Sequence, residues 1–190
     1  MSMQYTTVQQ EQEIQQILAL QALNHPIALS DTVMQREGFV TVRHEPNVLR
    51  QMNGLYPSVI AVDGAQLAGY CLVMLRQFAE AVPVLVPMFN RLESLTWNGK
   101  LLRESRWFVM GQVCVASGYR GQGVFDGMYA KLKEHCRADF DFVVTQVAAR
   151  NTRSLRAHER VGFETVEIYP DAAAGEIWHV IAMDLKGDYT

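Results

Sequence analysis

The chain has 190 residues, of which 49% are hydrophobic and 19% are charged, and its formal net charge is −3. This length allows one domain with a proper core, and the composition is that of a globular protein rather than a disordered one. The negative charge and the lack of a Lys/Arg run argue against general nucleic-acid binding. Basic residues cluster only at Arg150, Arg153, Arg156 and Arg160.

The sequence gives no sign of a membrane segment or a metal site. No apolar segment approaches transmembrane length, and residues 1–4 lack the features of a signal peptide, so we expect a cytoplasmic protein without a membrane partner. The five histidines show no metal-ligand spacing with nearby acids, so we expect no metal. Cys71, Cys114 and Cys136 lie in apolar stretches without CxxC spacing, which predicts three buried, reduced thiols.

The first third of the chain predicts a short strand followed by helices. The strand covers Gln4–Val8. Thr7 with Gln10 resembles a capping box at the start of the first helix, which Pro26 ends. The apolar face of that helix is formed by Ile14, Ile17, Leu18 and Gln21. Two more short helices are predicted at Ser30–Met34 and Asn47–Met52.

The middle third predicts a hairpin and then a long connection. Ser58–Val62 and Leu67–Leu75 are apolar runs joined around Asp63-Gly64, a strong hairpin signal. Residues 76–106 exceed the length of an ordinary hairpin loop. Within them, Pro87 suits the first turn of a helix that carries Met88, Leu92 and Leu95 inward, and Trp97-Asn98-Gly99 turns the chain back.

The most informative stretch runs from Val109 to Phe125. Val109–Val115 reads as a buried strand, and a turn containing Gly118, Gly121 and Gly123 follows it. From Val124 the apolar positions recur every four residues, which predicts a helix. A strand that enters a helix through such a turn aims free backbone N–H groups and the positive end of the helix dipole at one spot, where a phosphate would fit. On these residues alone, turn chemistry without a ligand is an equally good interpretation.

The remaining pattern completes a mixed sheet. Phe142–Val147 predicts a strand, and Thr152–Val161 predicts a short helix closed by Gly162. Glu164–Tyr169 and Glu176–Leu185 predict a closing antiparallel hairpin. We therefore expect one α/β (α+β) domain spanning residues 1–190, with a mixed sheet.

Two separated motifs resemble the GNAT-type N-acetyltransferases, which use acetyl-CoA. Arg120-Gly121-Gln122-Gly123-Val124 is similar to the family's acyl-CoA pyrophosphate loop, and the segment from Asn151 to Gly162-Phe163 is similar to its late strand-helix segment. The resemblance extends from about Ser58 to Leu185. It implies a single GNAT-like domain with a central, mostly antiparallel mixed sheet flanked by helices. It also implies a variable N-terminal part, residues 1–57, and an inserted helical segment around residues 76–106.

The resemblance also implies roles for cofactor-binding residues. The end of the central strand, Val113-Cys114-Val115, should pair through its backbone with the pantetheine arm of acetyl-CoA, and Asn151 should contact that arm. The pyrophosphate should be held by Arg120, Gly121, Gln122, Gly123, Val124 and Phe125. Phe125 stands where the family usually has Gly or Ala, so its ring should point away from the cofactor, beside Tyr129.

The catalytic residues implied by the family are less complete in this chain. The family often has a Tyr as the acid where this chain has His158, and an imidazole can donate a proton near neutral pH. A histidine that packs against the cofactor or bonds to backbone is the alternative. No carboxylate lies on the strand before the loop. Glu104, just ahead of it, could hold a water or be a solvated surface charge.

The resemblance implies an N-acetyltransferase that moves an acetyl group from acetyl-CoA to a primary amine of a small molecule or peptide. The missing carboxylate supports an alternative, a weak or inactive acyl-CoA-binding sensor of the same fold. An unrelated nucleotide-binding protein is a third hypothesis. Residues near Ser30–His44 and the apolar segment 76–106 should shape the acceptor pocket. That segment, which contains Phe78, Pro83, Met88, Phe89 and Trp97, could also cover the core or form a homodimer contact.

Overall fold

Nine strands and the helices between them build the domain in the computed structural model, which describes residues 2–28, 30, 32, 34, 39–40 and 42–187. The strands are β1 (Gln4–Thr7), β2 (Val59–Asp63), β3 (Gln66–Met74), β4 (Thr96–Trp97), β5 (Lys100–Leu101), β6 (Trp107–Val115), β7 (Phe142–Ala148), β8 (Glu164–Asp171) and β9 (Glu176–Asp184). The α-helices are α1 (Glu11–Asn24), α2 (Pro46–Leu55), α3 (Val86–Glu93), α4 (Val124–Cys136) and α5 (Thr152–Arg160).

Seven of the described strands form one mixed sheet in the order β1-β2-β3-β6-β7-β9-β8. Its neighbours pair antiparallel except for β6 and β7, which are parallel and joined through α4. A parallel pair needs a crossover connection, and a helix supplies it. β4 and β5 form a separate small hairpin. The expected mixed, mostly antiparallel sheet flanked by helices is confirmed.

Two apolar layers cover the faces of the sheet. On one face, α1, α2 and α3 pack over side chains that include Tyr70, Leu72 and Val109. On the other, α4 packs over Cys71 and Val73. Successive strand residues point to opposite faces, so one apolar strand such as β3 feeds both layers. This double covering explains why the central strands read as continuous apolar runs.

The expected turns are present where the sequence carries turn residues. The hairpin between β2 and β3 turns at Gly64, whose φ is +62°. Asn98 and Gly99, with φ values of +49° and +71°, form the turn between β4 and β5. Pro87 lies in the first turn of α3. Of the predicted helix at Ser30–Met34, residues 31 and 33 lie outside the described residues, whereas Thr32 and Met34 are helical and the Met34 amide donates to the Ser30 carbonyl at 2.9 Å.

The predicted start of the first helix was wrong by one turn. Thr7 belongs to β1, where it pairs with Val59, and is therefore unable to cap the helix. Gln10 is the N-cap instead, and the Glu13 carboxylate accepts hydrogen bonds from the backbone amides of Gln9 and Gln10. This arrangement is a capping box shifted three residues along the chain.

The side chains of the long connection pack mainly into the core. Phe78, Met88, Phe89 and Trp97 are all buried in the layer that α1 also covers, whereas Pro83 is exposed. The alternative in which this segment covers the core is thus confirmed for those four residues.

The state of the cysteines, the length of the helices and the grouping of possible metal ligands are visible in the described residues. All three cysteines are buried and free, as predicted, and burial raises the pKa of Cys114 and Cys136 to about 12. Across the described ranges, no helix is both long enough and apolar enough to cross a membrane. No cluster of His, Cys, Asp or Glu able to hold a metal ion occurs in the same part of the chain.

Candidate cofactor site

Strands β6 and β7 diverge after pairing for only three residues. Their paired positions end at Val109 and Val144, and the Thr145 hydroxyl then donates to the Met110 carbonyl at 3.0 Å. On its other side, β6 stays paired with β3 up to Val115. The β7-facing edge of β6 beyond Val109 therefore has no strand partner, which leaves backbone groups available for a ligand.

The glycine turn that follows β6 has the geometry expected of a phosphate loop. Gly121 and Gly123 adopt φ values of +73° and +77°, in the left-handed region that favours glycine. An added Cβ at either position would meet nothing within 4 Å, so the backbone faces open space. Helix α4 begins at Val124 with Gly123 as its N-cap. The first-turn amides have no acceptor within the helix and point toward that space with the positive end of the dipole.

A cavity of about 650 Å³ connects these features. Its lining comes from the ends of β6 and α1, the glycine turn, the start of α4, residues 39–40, and α5. Of the predicted cofactor residues, Val113, Cys114, Val115, Arg120, Gly121, Gly123, Val124, Phe125 and Asn151 all line it. Gln122 does not, and its side chain donates to the Gly118 carbonyl at 2.8 Å. The structure thus brings together nearly all residues that the sequence assigned to one ligand.

Arg120 is bonded within the protein in this structure. Its Nε donates to the Val115 carbonyl at 3.0 Å, and its Nη2 donates to Asn24 Oδ1 at 2.6 Å. The guanidinium therefore ties the glycine turn to the end of β6 and to the last residue of α1. A phosphate oxygen bound by this side chain would compete with those acceptors or share the guanidinium with them, because a guanidinium carries five N–H donors.

Asn151 joins α5 to the segment at residues 39–42. Its side-chain oxygen accepts from the Ser154 amide at 3.3 Å, which caps α5, and its Nδ2 donates to the Phe39 carbonyl at 3.4 Å. On the other side of the gap, Gln112 Nε2 donates to the Val42 carbonyl at 2.7 Å. The Phe39 and Val42 carbonyls are therefore held from the two sides of the gap between β7 and β6.

The sequence did not identify several residues that line the cavity. Asn24 and Val40 are joined by a backbone hydrogen bond of 3.0 Å, and both line it, as does Phe39. The expectation that residues near Ser30–His44 shape a pocket is met by Phe39 and Val40. No residue of the segment 76–106 is among those that line either cavity in the described part of the chain. Asn24 and Phe39 are tied to the rest of the site by Arg120 and Asn151, which are 96 and 112 positions away, so no local sequence signal marks them.

Replacing Gln112 should destabilise the protein measurably. This buried side chain accepts from the Tyr70 hydroxyl at 2.6 Å while it holds the Val42 carbonyl. Gln112→Leu leaves both partners unpaired, so we expect the free energy of unfolding to fall by about 2 kcal/mol. Urea denaturation measures the loss. Gln12→Leu, on the exposed face of α1, should change stability by less than about 0.5 kcal/mol. Equal effects of the two variants would contradict this role.

A smaller cavity of about 80 Å³ lies between the diverging strands. It is lined by residues of β6 and β7 together with Phe39, Val40, Asn151 and Trp178, and by His158. It shares Val113, Asn151 and Ser154 with the larger cavity, so the two spaces are neighbours along β6. Its size suits a group of only a few atoms.

His158 is held as a core residue. Its Nδ1 donates to the Ser154 carbonyl at 2.8 Å, which leaves Nε2 to accept from the Tyr129 hydroxyl, also at 2.8 Å. Its ring packs edge-on against Phe125 and Phe163. Burial lowers its pKa to about 4. These bonds match the alternative in which the histidine bonds to backbone, and its role as an acid stays a prediction.

Phe125 and Glu104, the two other residues that the family comparison singled out, lie in different parts of the structure. The Phe125 ring lies 4.9 Å from that of Tyr129, where it was expected, and it also forms part of the wall of the larger cavity. Glu104 ends a short turn before β6, is 70% exposed and faces Arg103 at 3.8 Å. It lines neither cavity, so the structure does not bring it to the other site residues.

A second buried histidine lies behind β6. His44 Nδ1 accepts from Gln21 Nε2 at 3.1 Å, and the His44 amide donates to Gln21 Oε1. Its Nε2 is buried without a hydrogen-bond partner in the described structure. Burial lowers the pKa of His44 to about 4, so the ring is neutral at pH 7.

These two histidines should make stability depend on pH. Both have a folded-state pKa of about 4, below the unfolded value of about 6.5. Between those pH values the unfolded chain binds more protons than the folded chain. The free energy of unfolding is therefore highest above pH 6.5 and falls as the pH is lowered toward 4. Each histidine contributes up to roughly 3 kcal/mol to this fall. Urea denaturation at pH 7, 6 and 5 should show this fall, and His44→Gln should reduce its slope. A slope that neither His44→Gln nor His158→Gln changes would contradict it.

Solved structures resemble this fold over nearly the whole chain. The protein yncA of Salmonella typhimurium, solved with its cofactor acetyl-CoA, has a TM-score of 0.64 at 12% identity, covering 100% of this chain and 98% of that one. The ribosomal-protein-S18-alanine N-acetyltransferase of Escherichia coli has a TM-score of 0.57 at 11% identity, over 99% and 97%. The NatC complex bound to Gag peptide and CoA has a TM-score of 0.64 at 15% identity, over 97% and 99%. At these identities the likeness shows the fold alone.

Sequence comparison adds the family. No curated protein matches the sequence. The profile of the Acetyltransferase (GNAT) family matches residues 34–163, which is more than half of the chain and includes β6, the glycine turn, α4 and α5. The expected single α/β domain is therefore a GNAT-fold domain, and the chain belongs to the GNAT acetyltransferase family.

Proposed function

We propose that this protein is an acetyl-CoA-dependent N-acetyltransferase that acetylates a primary amine of a small molecule or a peptide. The observation that carries the proposal is the cavity of about 650 Å³, which joins the unpaired edge of β6 to a glycine turn at a helix N-terminus. An elongated ligand with a pyrophosphate at one end and amide groups along its length suits both features. We further propose that residues 1–190 work as one acyltransferase unit, and a cytoplasmic location and a homodimer stay predictions.

The residues around the glycine turn fit a pyrophosphate. Open space stands where a side chain on Gly121 or Gly123 would project, so a ligand can approach the backbone closely. The amides of Gln122, Gly123, Val124 and Phe125 would hold the phosphate oxygens, and the Arg120 guanidinium would add a charge-assisted bond.

The unpaired edge of β6 fits the pantetheine arm. Backbone groups of Val113 and Val115 would pair with its amides as an added strand would, and Cys114 lies between them in the cavity wall. Asn151 lines both cavities and would contact the same arm from the start of α5. The acyl end would then lie toward the smaller cavity, whose volume of about 80 Å³ favours a short acyl group.

Acetyl-CoA would supply an activated thioester. The amine nitrogen would bond to the carbonyl carbon, the carbon–sulfur bond would break, and the proton lost by the nitrogen would pass to the departing thiolate, giving an amide and free CoA thiol. The protein orients the carbonyl, and a backbone amide near Val115 would polarise it. Asp126 is the one carboxylate that lines the described cavities, and it is paired with Arg160 at 2.7 Å. Because no other carboxylate among the described residues lines either cavity, we propose that the amine arrives neutral.

The placement of His158 and Glu104 favours a second candidate, a protein that binds acyl-CoA as a sensor and does not transfer the acyl group. Both nitrogens of His158 are bonded within the core, and Glu104 does not line either cavity, so neither is positioned as a proton-transfer group. Such a protein would bind acetyl-CoA and leave amines unchanged.

Free-thiol release from acetyl-CoA, measured against a broad panel of amines and peptides, separates the two candidates. The enzyme hypothesis expects thiol release that depends on one class of amine and saturates with it. Saturable acetyl-CoA binding without thiol release for any amine would favour the sensor. Absence of any acetyl-CoA binding would reject both.

A further inference from the structure

A glutamine of β7 presents an available hydrogen-bond donor to the smaller cavity. Gln146 lines that cavity, and its Oε1 accepts from the Tyr169 hydroxyl at 2.8 Å. Because the carboxamide oxygen is held by Tyr169, the NH2 group of the same carboxamide is directed away from that hydroxyl. Its Nε2 has no hydrogen-bond acceptor among the residues that the structure describes, and it is not fully buried. A ligand can therefore reach this donor.

The other carboxamides in the lining of the smaller cavity already have acceptors for their donors. Gln112 Nε2 donates to the Val42 carbonyl, and Asn151 Nδ2 donates to the Phe39 carbonyl. The described part of the lining contains no Asp, Glu, Lys or Arg. A neutral N–H donor among such groups suits a neutral oxygen, for example an amide carbonyl, which needs no counter-charge.

The inserted segment fixes the orientation of this glutamine from a distance. The Arg91 guanidinium on α3 stacks on the Tyr169 ring, with its central carbon 3.8 Å from the ring centre. Arg91 also donates two hydrogen bonds of 2.7 Å to the Glu167 carboxylate. The segment 76–106 contributes no described residue to the cavity lining, but it is connected to the smaller cavity through Arg91, Tyr169 and Gln146.

Gln146 points to the side of the sheet opposite α4. Its cross-strand partner on β9 is Val180, and cross-strand partners share a face. Val180 belongs to the apolar layer under α1, α2 and α3, whereas α4 packs on the other face. The proposed pyrophosphate site lies at the start of α4. A second substrate that enters beside Gln146 would therefore meet the acyl end of acetyl-CoA without displacing the rest of that ligand.

We propose that Gln146 binds the amine acceptor through its Nε2–H and selects an α-amino amide, in which a carbonyl group is attached to the carbon that bears the amine. Tyr169 and Arg91 are positioning residues that hold the carboxamide in this orientation. The volume of about 80 Å³ keeps the carbonyl and the amine of the acceptor close together. This inference rests on the proposed function, because it names the acceptor of the same reaction.

Acetylation kinetics with glycinamide and with methylamine, which is glycinamide without its carboxamide, test the inference. Gln146→Met keeps the length of the side chain and removes the donor. It should raise the KM for glycinamide about tenfold, the effect of one hydrogen bond, and leave kcat within about twofold. The same variant should change kcat/KM for methylamine by less than about twofold. Each amine is compared with itself in two proteins, so the different basicities of the amines cancel.

Tyr169→Phe keeps the ring beside Arg91 and removes only the hydroxyl that orients Gln146. It should raise the KM for glycinamide about threefold and leave kcat unchanged. Calorimetric titration of glycinamide into the CoA-bound protein should give the same order of affinities without turnover. Gln4→Met is the matched control, because Gln4 is an exposed glutamine of β1 that lines neither cavity. It should leave all these values unchanged.

Three results would overturn the role of Gln146 while the proposed function stands. These are an unchanged KM for glycinamide in Gln146→Met, equal losses for glycinamide and methylamine, and glycinamide that neither binds the CoA-bound protein nor releases thiol although another amine does. A wild-type KM in Tyr169→Phe would overturn the positioning role of Tyr169. A wild-type protein that binds no acetyl-CoA would overturn the proposed function as well.

Discussion

Gly123→Val should weaken CoA binding by about 100-fold. Gly123 has a φ of +77° and forms the N-cap of α4, and its missing side chain leaves open space on the cavity side. A valine there would put its methyl groups between the backbone amides and the phosphate. Losing two charge-assisted hydrogen bonds corresponds to about 3 kcal/mol, or roughly two orders of magnitude in affinity. Calorimetry with CoA measures the change.

Gly99→Val provides an unusually close control for that substitution. Gly99 has a φ of +71°, an added Cβ there also meets nothing within 4 Å, and it lies in the β4–β5 turn outside both cavities. Both valines pay the same backbone strain, roughly 1–2 kcal/mol, so both should lower the melting temperature similarly. Only Gly123→Val should affect CoA binding. Equal CoA affinity in the two variants would contradict the assignment of the glycine turn.

His158→Ala should reduce the free energy of unfolding by about 4 kcal/mol. Removing a fully buried ring that contacts Phe125, Tyr129 and Phe163 leaves a cavity, and comparable aromatic truncations cost 3–5 kcal/mol. The Tyr129 hydroxyl also loses its partner at 2.8 Å, which adds to the loss. Urea denaturation at pH 7 measures it. His179→Ala, in the half-buried part of β9, should cost less than about 1 kcal/mol.

A more conservative variant, His158→Gln, separates the two interpretations of His158. If His158 only holds the core, the His158→Gln protein that remains folded should transfer acetyl groups within threefold of the wild-type kcat. Its pH–rate profile should keep the same shape. A kcat that falls 100-fold or more, with stability unchanged and one limb of the pH profile lost, would show that His158 acts as the acid.

Local sequence patterns predicted the helices, strands and turns, because the residues that determine each of them are close together in the sequence. The apolar repeat from Val124 to Cys136 marked α4, and Asp63-Gly64 marked the β2–β3 turn. The proposed phosphate loop was recognisable for the same reason, since its two glycines and the helix that follows are contiguous. The first helix cap was misplaced because Thr7 belongs to a strand, and only pairing with Val59 across the sheet reveals that.

The walls of the site were not predictable because they depend on distant partners. The bond from Arg120 to Asn24 joins residues 96 positions apart, and that from Asn151 to Phe39 joins residues 112 apart. Likewise, one of the two hydrogen bonds that fix His158 comes from Tyr129 on another helix, so the sequence left its role open between acid and core residue. Contacts between residues far apart in the sequence determine whether such a side chain is a core residue or a site residue.

We propose that the cavity joining β6, the glycine turn and α5 binds acetyl-CoA. Titration of acetyl-CoA into the wild-type protein by calorimetry tests this claim most directly. The site described here predicts saturable binding of one acetyl-CoA for each chain, lost to the same extent as CoA binding in Gly123→Val and retained in Gly99→Val. Absence of saturable heat with the folded wild-type protein would contradict it.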